Sequence, residues 1–175
     1  MKKILARYTK SQIAKARQVR AVFFDVDGVL TDGRIIYDSE GRELKMFDVK
    51  DGLITGHLKK AGFILGAITG RESVAVAQRM NELKVDFCHQ GVLDKADVCR
   101  KLMQHYKLKP KETAYIGDDL NDLPVFHEVG FAVCPADAPV YIRDQADLVT
   151  VAKGGQGVFR EVADLLLAAQ AKWVL

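Results

Sequence analysis

The hydrophobic positions of this chain fall into short runs separated by longer amphipathic segments. The run 21–24 is apolar at every position, which is typical of a strand buried on both faces of a parallel sheet. Further strands are predicted at 62–68, 85–89, 113–116, 130–133 and 147–151. Helices are predicted at 51–60, 72–83 and 93–106, shortly after 122, from Asp137, and after the loop 154–157 up to about Lys172. This alternation predicts an α/β fold, a Rossmann-like parallel sheet with helices on both faces.

One insertion interrupts the alternation. Segments 34–38 and 43–48 flank a polar, glycine-bearing turn, so residues 33–50 are predicted to form a small β-hairpin. The insertion is too short to build a cap domain, yet an active site needs a lid to exclude water. A neighbouring subunit could supply that lid through its hairpin or through the glycine-rich segment 154–157. A plain flexible turn is the alternative for 154–157.

Length and composition predict one domain over 1–175, whose tail and final helix occupy 153–175. The three cysteines, Cys88, Cys99 and Cys134, form no CxxC motif and are expected to be reduced thiols of a cytoplasmic protein. No apolar run approaches the roughly 20 residues that a membrane-spanning helix needs.

The net charge of +3 conceals an asymmetry, because residues 1–20 carry seven basic residues and no acidic one. Such an arm could bind nucleic acid or an acidic membrane. However, no aromatic residues alternate with the charges, and a modest apolar stripe favours a basic N-terminal helix packed at the domain edge. We therefore expect neither a nucleic-acid nor a membrane partner.

Polar side chains cluster where the predicted strands end. Asp25 and Asp27 follow the first strand, Thr69-Gly70-Arg71 follow the second, and Asp118, Asp119 and Asp122 follow a later one, while Lys95 opens a helix. Ligands of parallel α/β sheets gather at the carboxyl ends of the strands. The sequence therefore predicts one site built from all four clusters.

The donors in these clusters suit a hard cation and a phosphate. Mg²⁺ typically takes one or two carboxylates, for which Asp25 and Asp118 are the candidates, with the backbone carbonyl of Asp27 as a third ligand. Lys95 and Thr69 would neutralise and bind a phosphate. No histidine or cysteine spacing supports zinc.

The two acids of the first cluster suit different steps of phosphate ester hydrolysis. Asp25 would attack phosphorus and form an aspartyl-phosphate. Asp27 would protonate the leaving oxygen and then accept a proton from the attacking water.

Each cluster also has a plainer interpretation. Thr69 could cap the following helix, Lys95 could be a solvated helix residue, and 118–122 could be an acidic first turn. Their joint occurrence, in this order, favours a site.

Together these motifs resemble those of the haloacid dehalogenase superfamily of phosphohydrolases. The segment 25–31 looks like its first motif, Thr69 its second, Lys95 its third and 117–122 its fourth. The resemblance implies a nucleophile at Asp25, an acid/base at Asp27 and a metal ligand at Asp118, and leaves open whether Asp119 or Asp122 supports the metal.

A closer resemblance links segments 33–51, 69–73 and 154–161 to the 3-deoxy-D-manno-octulosonate 8-phosphate phosphatases of lipopolysaccharide synthesis. It implies a cytoplasmic, Mg²⁺-dependent homotetramer with that sugar-acid phosphate as substrate. Arg71 and Arg160 are candidate contacts to the sugar-acid carboxylate, or else surface ion-pair residues.

Three other functions are compatible with part of the pattern. They are a phosphatase for a sialic-acid-type 9-phosphate, a phospho-accepting receiver domain and a non-catalytic homologue. The DxD spacing on the first strand argues against a receiver, and the intact acids and lysine argue against loss of catalysis.

Overall fold

The fold is taken from a computed structural model that describes residues 2–173. Its strands are β1 Ala21–Phe24, β2 Ile36–Tyr37, β3 Glu43–Leu44, β4 Ile64–Ile68, β5 Phe87–His89, β6 Thr113–Ile116, β7 Phe131–Cys134 and β8 Leu148–Val149. Its helices are α1 Lys2–Leu5, α2 Lys10–Ala16, α3 Val49–Lys60, α4 Val74–Leu83, α5 Lys95–His105, α6 Leu123–Phe126, α7 Val140–Arg143 and α8 Val158–Ala169.

Six strands form one parallel sheet in the order β5-β4-β1-β6-β7-β8. Strand β1 lies between β4 and β6, and Phe24 at its end is in register with Ala67 and Ile116. The polar residues that follow these three strands are therefore neighbours at one edge of the sheet.

Helices cover both faces of the sheet. Successive side chains of β1 point to opposite faces, so β1 contributes to the core on each side. Val22 and Phe24 belong to the core cluster that includes α3 and α8 residues, whereas Ala21 and Phe23 belong to the cluster that includes α5 residues. The predicted Rossmann-like α/β architecture is confirmed.

The predicted hairpin is present but shorter than expected. Strands β2 and β3 pair over two residues each, Ile36 with Leu44 and Tyr37 with Glu43. The turn between them is closed by the Asp38 carboxylate, which accepts hydrogen bonds from the backbone N–H groups of Glu40 and Arg42.

The N-terminal segment differs from the single helix predicted over 1–20. It forms two helices, because Thr9 caps α2 through a reciprocal capping box with Gln12 and so ends α1 before it. The segment packs at the domain edge, where Lys15 pairs with Asp147 and Arg20 with Glu112.

Two predicted helices are too long. The helix expected from Asp137 is reduced to α7, and α8 ends at Ala169 rather than near Lys172. Ala171 adopts a left-handed backbone (φ 54°), which stops the final helix. Residues 174 and 175 of the predicted tail lie outside the described part.

Across residues 2–173, no helix combines the length and the hydropathy that crossing a bilayer requires.

Candidate active site

The ends of β1, β4 and β6 surround an open cavity of about 390 Å³. It is lined by Asp25, Asp27, Gly33, Thr69, Gly70, Arg71, Asp118, Asp119, Leu120 and Asn121. Three of the four predicted clusters therefore line one cavity, and the fourth, Lys95, contacts Asp25 from below.

Asp25 stands directly after β1 and is 6% exposed. Its Oδ1 accepts a hydrogen bond from the Val26 N–H at 2.7 Å, and its Oδ2 accepts one from Lys95 Nζ at 2.7 Å. Burial and the nearby Asp122 raise the pKa of Asp25 to about 6, against the lowering effect of Lys95. The carboxylate is thus held in one orientation with a cation beside it.

Lys95 is completely enclosed between two acids. Its Nζ lies 2.7 Å from Asp25 Oδ2 and 2.7 Å from Asp122 Oδ1. Burial disfavours the charged form, but the two carboxylates outweigh burial and raise the pKa of Lys95. The plainer interpretation of Lys95 as a solvated helix residue is wrong.

Asp122 connects Lys95 to the loop 118–122. Its Oδ1 also accepts from the Tyr115 hydroxyl at 2.7 Å, and its Oδ2 accepts from the backbone N–H groups of Asp118 and Asp119 at 2.9 and 3.2 Å. With both oxygens engaged, Asp122 fixes the 118–122 loop and Lys95. Tyr115 was not predicted from the sequence, because within the apolar strand β6 it reads as an ordinary core residue.

Asp118 and Asp25 offer carboxylate oxygens to a divalent cation, with Asp122 close behind them. Carboxylate oxygens of Asp25, Asp118 and Asp122 lie within 4.8 Å of one another. Lys95 pairs with Asp25 and Asp122, and across the described residues Asp118 forms no salt bridge. Burial, together with Asp25 and Asp122, raises the pKa of Asp118 to about 8. A cation would supply the missing charge, and the oxygen donors suit Mg²⁺.

Among the described residues, hydrogen bonds reach only one of the two carboxylate oxygens of Asp27. Its Oδ1 accepts from Thr31 Oγ1 at 3.2 Å and from Lys45 Nζ at 2.5 Å. Its Oδ2 is buried and, within residues 2–173, has no hydrogen-bond partner, the nearest cation being Arg71 Nε at 3.7 Å. Lys45 was missed from the sequence because it belongs to no motif; the alternation of residues 43–47 was the available signal.

Thr69 is 2% exposed and lies where β4 ends. Helix α4 begins at Val74 with Ser73 as its N-cap, so the plainer interpretation of Thr69 as a helix cap is wrong. Arg71 extends from this loop towards the hairpin, where its Nη2 donates to Glu43 Oε1 at 2.8 Å. Asp119 also lines the cavity and accepts from the Leu120 N–H.

Two predicted participants lie elsewhere in this chain. Arg160 is not in the cavity: its Nε donates to Asp164 at 2.8 Å, one turn along α8, and its guanidinium lies over Trp173. Segment 154–157 packs behind residues 25–31, which we call the catalytic loop, where the Gly155 N–H donates to the Val29 carbonyl at 3.1 Å. Helix α8 packs on one face of the sheet, and α5, the helix that carries Lys95, packs on the other.

Comparison with known proteins agrees with this geometry. A family model described as haloacid dehalogenase-like hydrolase matches residues 87–162. The 3-deoxy-D-manno-octulosonate 8-phosphate phosphatase of Haemophilus influenzae is 40% identical over 158 residues, which cover 90% of this chain and 88% of that protein. The chain belongs to this phosphatase family.

Solved structures of the phosphatase family share the whole fold. The enzyme of Yersinia pestis superposes with a TM-score of 0.92 at 39% identity, over 94% of this chain and 89% of that one. The enzyme of Moraxella catarrhalis, in complex with a magnesium ion, a phosphate ion and a KDO molecule, gives 0.91 at 40% identity, over 94% of both chains. The expected resemblance to the haloacid dehalogenase superfamily is confirmed.

Proposed function

We propose that this protein is a Mg²⁺-dependent phosphatase that hydrolyses 3-deoxy-D-manno-octulosonate 8-phosphate to the free sugar acid and phosphate, as a step of lipopolysaccharide synthesis. The observation that carries the proposal is the buried Asp25–Lys95–Asp122 arrangement beside Asp118. It places a fixed carboxylate next to a cation pocket and a lysine charge, as phosphoryl transfer requires.

In the first step, Asp25 forms an oxygen–phosphorus bond while the bond from phosphorus to the sugar oxygen breaks. Asp27 gives its proton to that leaving oxygen. Water then attacks the aspartyl-phosphate and loses a proton to Asp27, so that phosphate departs and both acids return to their starting state.

Substrate contacts follow from the same positions. Lys95, Thr69 and the backbone at Gly70 would bind the phosphate oxygens. Bound Mg²⁺, held by Asp25, Asp118 and the backbone carbonyl of Asp27, would neutralise charge on the phosphoryl group. Asp119 and Asp122 would support this arrangement through the loop they stabilise.

Recognition of the sugar acid would fall to Arg71. Its guanidinium is 43% exposed at the mouth of the cavity and can exchange Glu43 for a substrate carboxylate. Within residues 2–173, Arg160 does not line the cavity, so its assignment to the substrate would require a neighbouring subunit.

We further propose that the chain is a single domain, acts in the cytoplasm and forms a homotetramer, and the hairpin surface supports the last of these. Large apolar side chains are exposed there without cover from the described residues: Ile35, Tyr37, Leu44, Met46 and the nearby Val74. A neighbouring subunit packed on this surface would both bury it and close the cavity. Sedimentation of the purified chain measures this state directly.

Release of phosphate from a matched panel tests the function. The panel contains 3-deoxy-D-manno-octulosonate 8-phosphate, N-acetylneuraminate 9-phosphate and glycerol phosphate, each with Mg²⁺ and with chelator. We expect Mg²⁺-dependent preference for the first substrate, and at least about a thousandfold loss in Asp25→Asn without loss of fold. Equal rates on all three would overturn the substrate, and an active Asp25→Asn would overturn the nucleophile.

A further inference from the structure

Lys45 is a buried lysine outside the phosphate cavity. Its side chain is 1% exposed and reaches from the hairpin to Asp27, with Nζ 2.5 Å from Oδ1. It does not line the cavity at the ends of β1, β4 and β6 but a second one of about 360 Å³, which Phe47 and Arg79 also line. Burying an ammonium group is costly unless it is paired, so its placement ties this lysine to Asp27.

The partners of Lys45 show how the hairpin reaches the catalytic loop. Nζ also lies 3.4 Å from Glu43 Oε1, and Glu43 in turn binds Arg71. Arg71 is exposed enough to leave for a substrate, whereas Lys45 is enclosed. The contact of Lys45 with Asp27 therefore stays in place when substrate binds, and it connects the hairpin to Asp27.

The two carboxylate oxygens of Asp27 have different surroundings. Thr31 and Lys45 both donate to Oδ1, and Oδ2 is left buried without a hydrogen-bond partner in the described chain. Two donors on one oxygen fix the rotation of the carboxyl group and leave the other oxygen to exchange a proton with the reacting group.

We infer that Lys45 is a positioning residue, which orients Asp27 so that Oδ2 faces the leaving oxygen. The inference rests on the proposed function insofar as Asp27 is the proton donor. Through this lysine the hairpin acts on proton transfer as well as on access to the cavity.

Proton donation matters in proportion to the basicity of the leaving oxygen. An alkoxide leaving group needs the proton as its bond to phosphorus breaks, whereas a dinitrophenolate leaves without it. Loss of correct Asp27 orientation should therefore slow the cleavage of alkyl phosphates selectively. General damage to the site would slow both classes of substrate alike.

The test compares kcat/KM of Lys45→Met on the sugar phosphate, on glycerol phosphate and on 2,4-dinitrophenyl phosphate. This ratio reports the steps up to cleavage of the ester bond and leaves out the later hydrolysis of the aspartyl-phosphate. We expect a loss of roughly 10- to 100-fold on both alkyl phosphates and less than about threefold on the aryl ester. Asp27→Asn should show the same bias, and Lys50→Met, an exposed lysine on α3, should show neither loss.

Parallel losses on all three substrates, or no loss on any, would overturn the inference. If Lys45→Met does not fold, Lys45→Leu, which also removes both the donor and the charge, is measured in the same way. Failure of the proposed substrate would appear in the wild-type panel instead. The glycerol phosphate comparison still tests Lys45 in that case.

Discussion

Gly28 faces the carboxylate of Asp118 so closely that a Cβ atom on Gly28 would overlap Oδ2 and Cγ of that acid. Gly28 also has a φ of +83°, in the left-handed region that favours glycine. Asp118 can therefore approach the cluster of Asp25 and Asp27 because the residue after Asp27 has no side chain.

Gly28→Ala should weaken Mg²⁺ binding by displacing Asp118. We expect the Mg²⁺ concentration for half-maximal activity to rise by roughly 10- to 100-fold, as for other disturbances around a metal ligand. Gly62→Ala is the matched control, because Gly62 has a φ of +84° but open space around it. Gly62→Ala should lose about 1 kcal/mol of stability and keep its Mg²⁺ requirement. Similar Mg²⁺ curves for both variants would contradict this account.

Lys95→Met should cost both activity and stability. Removal of the ammonium leaves Asp25 and Asp122 buried without their shared cation, and loss of one partner from a buried pair typically costs about 3–5 kcal/mol. Urea unfolding measures the free energy, and phosphate release should fall below about a thousandth of wild type. Lys101→Met removes an exposed lysine of the same helix; it should change stability by less than about 1 kcal/mol. A Lys95→Met protein as stable as that control would show that the buried pairs do not hold the site.

Mg²⁺ should stabilise the folded protein through Asp118. A ligand present at about 100 times its Kd and bound by the native state alone adds about 2.7 kcal/mol. We therefore expect Mg²⁺ to raise the melting temperature of wild type and to have little effect on Asp118→Asn, measured at constant ionic strength. Asp97→Asn, a half-buried acid on α5 that pairs with Lys101 and does not line the cavity, should respond as wild type does. An equal Mg²⁺ response of Asp118→Asn would place the cation elsewhere.

Asp51 predicts a pH dependence of stability. This acid on α3 is 4% exposed and accepts the Arg160 N–H at 2.7 Å, so it caps the start of α8. Burial raises the pKa of Asp51 to about 7. Between its unfolded pKa near 4 and this value the native state binds the extra proton, so this group's contribution to stability falls as pH rises.

The comparison with Asp51→Asn isolates that contribution. The amide keeps an acceptor for Arg160 but does not titrate, so the stability of Asp51→Asn relative to wild type should increase by about 2.6 kcal/mol from pH 5 to pH 8. Asp51→Ala should follow the same trend, about 1 kcal/mol lower throughout because the cap is lost. Denaturant titrations at several pH values measure both, and a constant difference between wild type and Asp51→Asn would rule out titration of Asp51.

The features predicted from the sequence are those with local causes. Strand β1 and the acids after it could be read directly, because a short apolar run marks a buried strand and parallel strands bring their ends together. The break at Thr9 was equally local, but the apolar stripe of 1–20 concealed the capping box with Gln12.

Features that depend on tertiary packing were not predicted. Lys45 contacts an acid 18 residues before it, and its burial depends on how the hairpin folds over the catalytic loop. Arg160 was predicted at the site because guanidinium suits a carboxylate. In the structure this guanidinium pairs instead with Asp164, one turn away on the same helix.

The alternation in segment 43–47 has a consequence for how the length of the hairpin can vary. Glu43, Lys45 and Phe47 point inward, whereas Leu44 and Met46 are more than half exposed. Because inward and outward side chains alternate along this segment, of which only Glu43–Leu44 is strand β3, an insertion that shifts the pairing by one would exchange the two sets. Lys45 would then face solvent, and a large apolar side chain would lie against Asp27. Insertions that shift the register by two preserve the inward charges and the outward apolar surface, so an even change in turn length is compatible with activity and an odd one is not.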